Sequence, residues 1–296
     1  MNRETLAAID IGSNAIRLLI NYIEDGSRVT FKKAAFVRVP LRLGEDVFTQ
    51  GYIGEEKRKK LGEAMTSFRH LMRTFNVVDY RACATSAMRE ARNGADIVDF
   101  IRATSDINIE IISGTEEAET IFDAGGIAGL MGSDQSYLYV DVGGGSTEVT
   151  IYCNRKRVES QSFPLGTVRT ISDAVDKDEY QRFKKWLKEV ALTYDPVAII
   201  GSGGNINKVH KLLCKEAKST IRYVELKILY DQIEDMTYEQ RVRNMGLNTY
   251  RADVIIPAMK IFLTVAKTCK IDEIMVPRVG LADGIINHLY RARHTK

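Results

Sequence analysis

The chain opens with an apolar run, Leu6 to Ile9, and after Asp10-Ile11-Gly12-Ser13-Asn14 it places Ile16, Leu18 and Ile20 at alternate positions. A short apolar run followed by strict alternation predicts two strands, and Glu24-Asp25-Gly26-Ser27 predicts the hairpin turn closing the second. The pattern recurs. Tyr137-Leu138-Tyr139-Val140 predicts a buried strand that runs into Asp141-Val142-Gly143-Gly144-Gly145-Ser146-Thr147-Glu148. Beyond that glycine turn, Val149, Ile151 and Cys153 alternate with Thr150 and Tyr152, as in a second strand. Asp10 and Asp141 stand 131 positions apart, each followed by an aliphatic residue and a glycine. One β-turn-β device used twice predicts two similar domains.

Between and after the two copies the spacing is largely helical. Leu61, Met65, Phe68, Leu71, Met72 and Phe75 predict a helix over 55–75, started by a solvated charged run, and residues 96–104 a second. Arg81 to Thr85 and Ile109 to Ile112 read as strands, the first leading into Ser86-Ala87-Met88-Arg89. Thr115 opens a helix running to about Ala124; Ser113 and Glu116 have capping-box spacing, and Gly125-Gly126 is placed as a hinge. Further on, helices are expected over 176–194 and 231–244, with Trp186 in the core or an interface. A buried strand, Val197 to Ile200, precedes Gly201-Ser202-Gly203-Gly204-Asn205 and a helix through Leu213. Arg251-Ala252-Asp253 precedes an apolar helix, Ile274 to Val276 is a last strand, and Gly280 to Gly284 leads into the final helix. The class is α/β.

At 296 residues the chain exceeds one hydrophobic core, which agrees with two domains. A net charge of +3 is too small for bulk nucleic-acid binding, so no nucleic-acid polymer is expected as a partner. Cys83, Cys153, Cys214 and Cys269 form no Cys-x-x-Cys pair, which predicts reduced thiols in a cytoplasm and no zinc site. His70, His210, His288 and His294 lie near no cysteine or nucleophilic serine motif and receive no chemistry. No apolar run reaches membrane-spanning length and no signal-peptide core follows the N-terminus, so no membrane association is expected.

Consecutive glycines let main-chain N–H groups approach one anion closely. Asp141 and Glu148, flanking them, are of the type that holds a hard divalent cation against phosphate oxygens. The plain alternative is a glycine-rich hairpin with two solvated acids. In Thr115-Glu116-Glu117-Ala118-Glu119 the capping box uses only Glu116, leaving Glu117 or Glu119 open to catalysis. Lys208, Lys211, Lys215 and Lys218 add positive charge around the later helix, most simply as a solvated face.

Six segments together resemble the exopolyphosphatase and guanosine pentaphosphate phosphohydrolase family. They are Asp10 to Asn14, Ala84 to Arg89, Ile112 to Ala118, Asp141 to Glu148, Gly201 to Asn205 and Arg251 to Asp253, in the family's order. The resemblance implies two actin-like, ribonuclease H-like domains of the ASKHA superfamily with a cleft between them: residues 1–124 plus 279–296, and residues 125–278. It implies Mg²⁺-dependent hydrolysis of inorganic polyphosphate or a guanosine alarmone. Gly12, Ser13, Asn14, Arg89 and Gly143, Gly144, Gly145, Ser146 and Thr147 would bind phosphate. Asp141 and Glu148 would hold the metal with help from Asp10. Glu117 would activate water, with Glu119 as the second candidate, and Arg17, Arg38, Arg42 and Arg92 would extend the positive track. The chain departs from the family at Ala15, usually serine, and at Ala282, usually arginine. It also ends without the helical domains of longer members, for which a homodimer could substitute. A small-molecule kinase, a non-catalytic polyphosphate or alarmone sensor and an ATP-driven assembly protein are the alternatives.

Overall fold

The computed structural model describes residues 2–25, 29–124, 127–213, 216 and 220–294. Gly26-Ser27, the glycine pair 125–126, Cys214, Lys215 and Lys218 lie outside the described residues. The chain divides into two compact units, Met1–Gly125 with Gly280–Lys296, and Gly126–Val279.

The first unit contains β1 (Asn2–Ile11), β2 (Ile16–Asp25), β3 (Thr30–Val39), α1 (Leu43–Gln50), α2 (Glu55–Thr74), β4 (Asp79–Ala84), α3 (Ser86–Glu90), α4 (Gly94–Ser105), β5 (Ile109–Ile111) and α5 (Gly114–Phe122). The second contains β6 (Ser136–Val142), β7 (Thr147–Cys153), β8 (Lys156–Phe163), α6 (Thr167–Ile171), α7 (Glu179–Tyr194), β9 (Ala198–Ser202), α8 (Gly204–Leu212), β10 (Thr220–Arg222), α9 (Tyr223–Glu234), α10 (Tyr238–Asn244), α11 (Ile255–Cys269) and β11 (Glu273–Met275). Helix α12 (Leu281–His294) returns to the first unit.

The first sheet has the order β3-β2-β1-β4-β5 and the second β8-β7-β6-β9-β11-β10. In both, three antiparallel strands joined by short connections are extended by two parallel strands, and the second sheet adds β10 antiparallel to β11. The repeated device is therefore the start of a repeated fold, the ribonuclease H-like order expected of an actin-like domain. Each unit has its own core, one around Ile9, Ile11, Leu18 and Phe68, the other around Leu138, Val140, Phe183 and Phe262. Helix α11 is apolar nearly all round because it is covered nearly all round, packing on α7, α9 and the sheet.

Several elements differ from the sequence expectation. The alternation in β7 does not mark an exposed face: Thr150 and Tyr152 are buried as well, in an inner strand between β6 and β8. The helix expected over 231–244 is two helices, broken where Thr237 caps α10: its hydroxyl accepts from Gln240 N–H at 3.2 Å, and the Gln240 side chain accepts from Thr237 N–H at 2.8 Å. That local bond outcompetes helix continuation. Helix α7 begins at Glu179 rather than Asp176. The edge strands β3 and β8 carry little sequence signal, because a strand paired on one side only has polar residues on its exposed positions and shows little apolar alternation. Among the described residues no helix is long and apolar enough to cross a membrane.

Candidate functional site

In each unit the repeated turn sits at the C-terminal end of the central strand, where α/β folds place ligands. Gly12 N–H donates to Ala15 O at 3.2 Å, and Gly143 N–H to Ser146 O at 3.0 Å, closing the same turn twice. What shapes the turns is the segment after the third strand. The carbonyls of Ser13 and Asn14 accept from Gly44 N–H and Arg42 N–H at 2.9 and 3.0 Å. The carbonyls of Gly143 and Gly144 accept from Thr167 and Val168 N–H at 3.0 and 2.8 Å, and the Gly145 carbonyl from Arg169 Nε at 2.8 Å. In a planar trans peptide the N–H points opposite to the carbonyl before it. With their carbonyls all drawn toward the helix start, the N–H groups of Gly144, Gly145 and Ser146 face the other way together, as do those of Asn14 and Ala15. A row of backbone donors on one side of a turn is an anion cradle.

The clamping segments went unnoticed in the sequence, although one signal marks them: Pro40-Leu41 and Pro164-Leu165. Each leucine N–H donates to the carbonyl two residues back, at 3.1 and 2.7 Å, so the same proline-centred bend ends the third strand in both units.

Electrostatics separates the two cradles. Asp10 stands opposite Arg17 across the β1–β2 pair and forms an ion pair with it. At the corresponding positions of the second unit Asp141 stands opposite Glu148, and both are more than nine-tenths buried. Like charges directly opposite one another on paired strands repel, and burial amplifies the repulsion. A divalent cation removes it, and Mg²⁺ suits a site of two carboxylates because it keeps waters and takes phosphate oxygens for the rest. Among the described residues no group of three or more His, Cys, Asp or Glu side chains is close enough to hold a metal. The donor set therefore fits Mg²⁺ shared with phosphate, and not a closed protein cage. Ser146 and Ser162 hydroxyls donate to Glu148 Oε1 at 2.5 and 3.0 Å, which fixes the carboxylate's orientation. Ala15 occupies the position equivalent to Ser146; since Arg17 replaces Glu148 there, no hydroxyl is required. Asp10, already neutralised by Arg17, is the weaker metal candidate.

The strand ends Ile11, Ala84 and Ile111 lie in register on neighbouring strands, and Thr85 and Ile112 N–H continue the pairing at 3.1 and 3.0 Å. This brings the start of α3 and the start of α5 to the same sheet edge as the Gly12 turn. Arg89 Nη1 donates to the Ile112 carbonyl at 2.8 Å, setting the guanidinium beside the entry to α5. Glu117, half-buried, is in the first turn of that helix, while Glu119 is exposed. The capping box is half realised. Ser113 accepts from Glu116 N–H at 3.1 Å, but the Glu116 carboxylate turns to Arg81 at 2.6 Å, because Arg81 offers a charge that the Ser113 N–H does not.

Thr147 does not join the cradle through its side chain: it is fully buried and its hydroxyl donates to Leu165 O at 2.5 Å. Asn14 does fit. Its buried Oδ1 has no hydrogen-bond partner, a deficit that a phosphate-bound water, or phosphate itself with the amide turned over, would fill. Ser202 lies beside Asp141 on β9, so the second glycine-rich loop meets the first at the sheet edge. Ala282 is buried in the first turn of α12 and extends no group toward a ligand, whereas Asp283 beside it accepts from Gly280 N–H at 2.9 Å; burial pushes its carboxyl above the usual range. His210 is buried against Arg278, and His288 pairs with Asp123; neither approaches the turns through these contacts.

Two sheets that share one five-strand order, each ending its central strand in a turn of aligned backbone N–H groups, and one turn flanked by paired carboxylates, mark a two-unit α/β protein with a candidate phosphate site. The model of the Ppx/GppA phosphatase family matches residues 20–292. The chain belongs to the Ppx/GppA phosphatase family. It is similar to a guanosine-5'-triphosphate,3'-diphosphate pyrophosphatase of Photobacterium profundum, 25% identical over 97% of this chain and 60% of that protein. It thus spans about three-fifths of the length of that relative and of similarly named proteins from Aeromonas and Vibrio. Among solved structures, an exopolyphosphatase from Cytophaga hutchinsonii superposes with a TM-score of 0.83 at 25% identity, covering 98% of this chain and 97% of that one. A Ppx/GppA family member from Aquifex aeolicus superposes with a TM-score of 0.78 at 25% identity over the full length of both.

Proposed function

We propose that the chain hydrolyses phosphoanhydride bonds, releasing terminal phosphate from inorganic polyphosphate, from guanosine pentaphosphate, or from both. The observation that carries this reading is the buried Asp141–Glu148 pair at the rim of the Gly143–Ser146 cradle. It combines a metal-type donor set with an anion site in one turn. The names of the relatives and of the superposed structures support the same substrates.

Phosphoanhydride hydrolysis needs an aligned water, a base and neutralised phosphoryl charge. The N–H groups of Gly144, Gly145 and Ser146, and those of Asn14 and Ala15, receive phosphate oxygens. Asp141 and Glu148 would hold Mg²⁺, Glu148 being oriented by the Ser146 and Ser162 hydroxyls. When bound, the ion neutralises phosphoryl charge and orients the substrate. Arg89, tethered at Ile112, adds a planar donor fork to a further phosphate. Glu117, in the first turn of α5, orients and deprotonates the water.

The deciding experiment is free-phosphate release from polyphosphate, guanosine pentaphosphate and ATP, each with and without Mg²⁺. Mg²⁺-dependent release from one of the first two is expected. Tight binding with release from none of them would overturn the reading.

A further inference from the structure

Of the three carbonyls that shape the second unit's cradle, that of Gly145 is held by a side chain. Arg169, in the first turns of α6 and only 9% exposed, donates to it from Nε at 2.8 Å. The helix that carries Arg169 cannot slide away from the turn. A Cβ at Gly166 would stand 2.2 Å from the Gly145 carbonyl carbon and 2.3 Å from the Gly144 oxygen, so only glycine lets α6 start in direct backbone contact there. The first unit clamps its turn with the backbone N–H groups of Arg42 and Gly44, and Nη1 of the Arg42 guanidinium donates to Glu45 at 2.9 Å. A buried cation thus stands directly behind the second unit's cradle.

We propose that Arg169 is a positioning residue for the phosphate cradle, holding the Gly145–Ser146 peptide so that the Ser146 N–H faces the anion and strengthening that donor with its charge. A charged donor makes a stronger bond to a carbonyl than a neutral one. It also polarises the peptide, so the N–H at the other end becomes a better donor. Inside the protein the guanidinium charge is poorly screened and reaches across one peptide plane. Ser146 gathers both effects: its N–H belongs to the cradle while its hydroxyl orients Glu148. The proposal rests on reading the turn as a phosphate cradle.

The test measures inorganic phosphate binding by calorimetry in Mg²⁺ buffer, for the full chain and for R169Q and R169K, well below each melting midpoint. Steady-state phosphate release is measured beside it. R169Q keeps a donor but no charge and is expected to weaken phosphate binding at least about tenfold, raising KM by a similar factor with a smaller change in kcat. R169K keeps the charge and is expected to lose less than R169Q. Unchanged phosphate affinity in R169Q, even with a lowered melting temperature, would overturn the proposal and leave Arg169 a packing residue. So would R169K no better than R169Q. A wild-type chain that binds phosphate but releases none from any substrate overturns the hydrolase reading alone, and the affinity comparison still decides on Arg169. A wild-type chain that binds no phosphate overturns the cradle reading and with it the role of Arg169, while the release assay still decides on hydrolysis.

Discussion

Glu116 and Glu117 are adjacent, and the proposal gives them different jobs. Glu116 pairs with Arg81 at the start of α5, and Glu117, one position further round the same turn and half-buried, is the base proposed above. E117Q preserves size and helix propensity, so it is expected to melt with the wild type and bind substrate while losing at least about a hundredfold in kcat. Near-normal phosphate release by E117Q would sink the assignment. Glu148 is tested differently. E148Q keeps acceptors for the Ser146 and Ser162 hydroxyls but removes one of two facing negative charges. It should raise the Mg²⁺ concentration for half-maximal activity by at least about tenfold; a superimposable Mg²⁺ titration would remove Glu148 from the metal set.

Helix α5 is the element on which the catalytic proposal depends, and it is held at both ends. At its start Ser113 supplies the cap, so S113A should cost about 1 kcal/mol of stability by chemical denaturation. E116A leaves that cap intact and removes an ion pair whose glutamate is 43% exposed, so its cost should be smaller, within the roughly 0–1 kcal/mol of surface pairs. The reverse order would mean that the Arg81 pairing, and not the cap, starts the helix. Toward the other end α12 crosses α5 at Gly284, where a Cβ would fall 1.9 Å from the Thr120 oxygen. Asn287 and His288 add hydrogen bonds to Asp123. G284A gains about 1 kcal/mol of helix propensity but meets unyielding backbone, and overpacking of that kind costs roughly 1–3 kcal/mol or more. Packing should win, and the melting temperature should fall; a rise would show that the crossing is slack.

At the scale of the whole molecule, two cores in two units supply two internal reporters. Cys83 lies on β4 of the first unit and Cys269 at the end of α11 in the second, and burial pushes each thiol up to about 12. At pH 8 such a thiol is thiolate in only about one part in ten thousand, and the thiolate is the reacting form. Neither should be alkylated in the native protein. Mapping the modified peptides across a denaturant series should then show Cys83 and Cys269 becoming reactive as their own units open. Reaction of either at pH 8 without denaturant would contradict the burial described here.

Periodicity and repetition are enough to read the class and the doubled β-turn-β device, and six short segments carry the resemblance to the family, because strand alternation, turn glycines and acids at fixed offsets are local properties. The same locality explains the failures. Alternation in β7 does not mark an exposed face, because burial is set by neighbours outside the strand, and β3 and β8 leave little signal because an edge strand is defined by what it lacks on one side. At the candidate site the residue types were legible: glycines, facing acids, an arginine and a glutamate near a helix start. Their jobs were not. Which carbonyls point away from the anion depends on hydrogen bonds from residues 42–44 and 167–169, roughly two dozen positions or more downstream. That Asp10 is neutralised while Asp141 faces a second acid depends on strand register. Sequence alone determined which groups were available; tertiary structure decided the direction of each peptide and the neighbour of each charge.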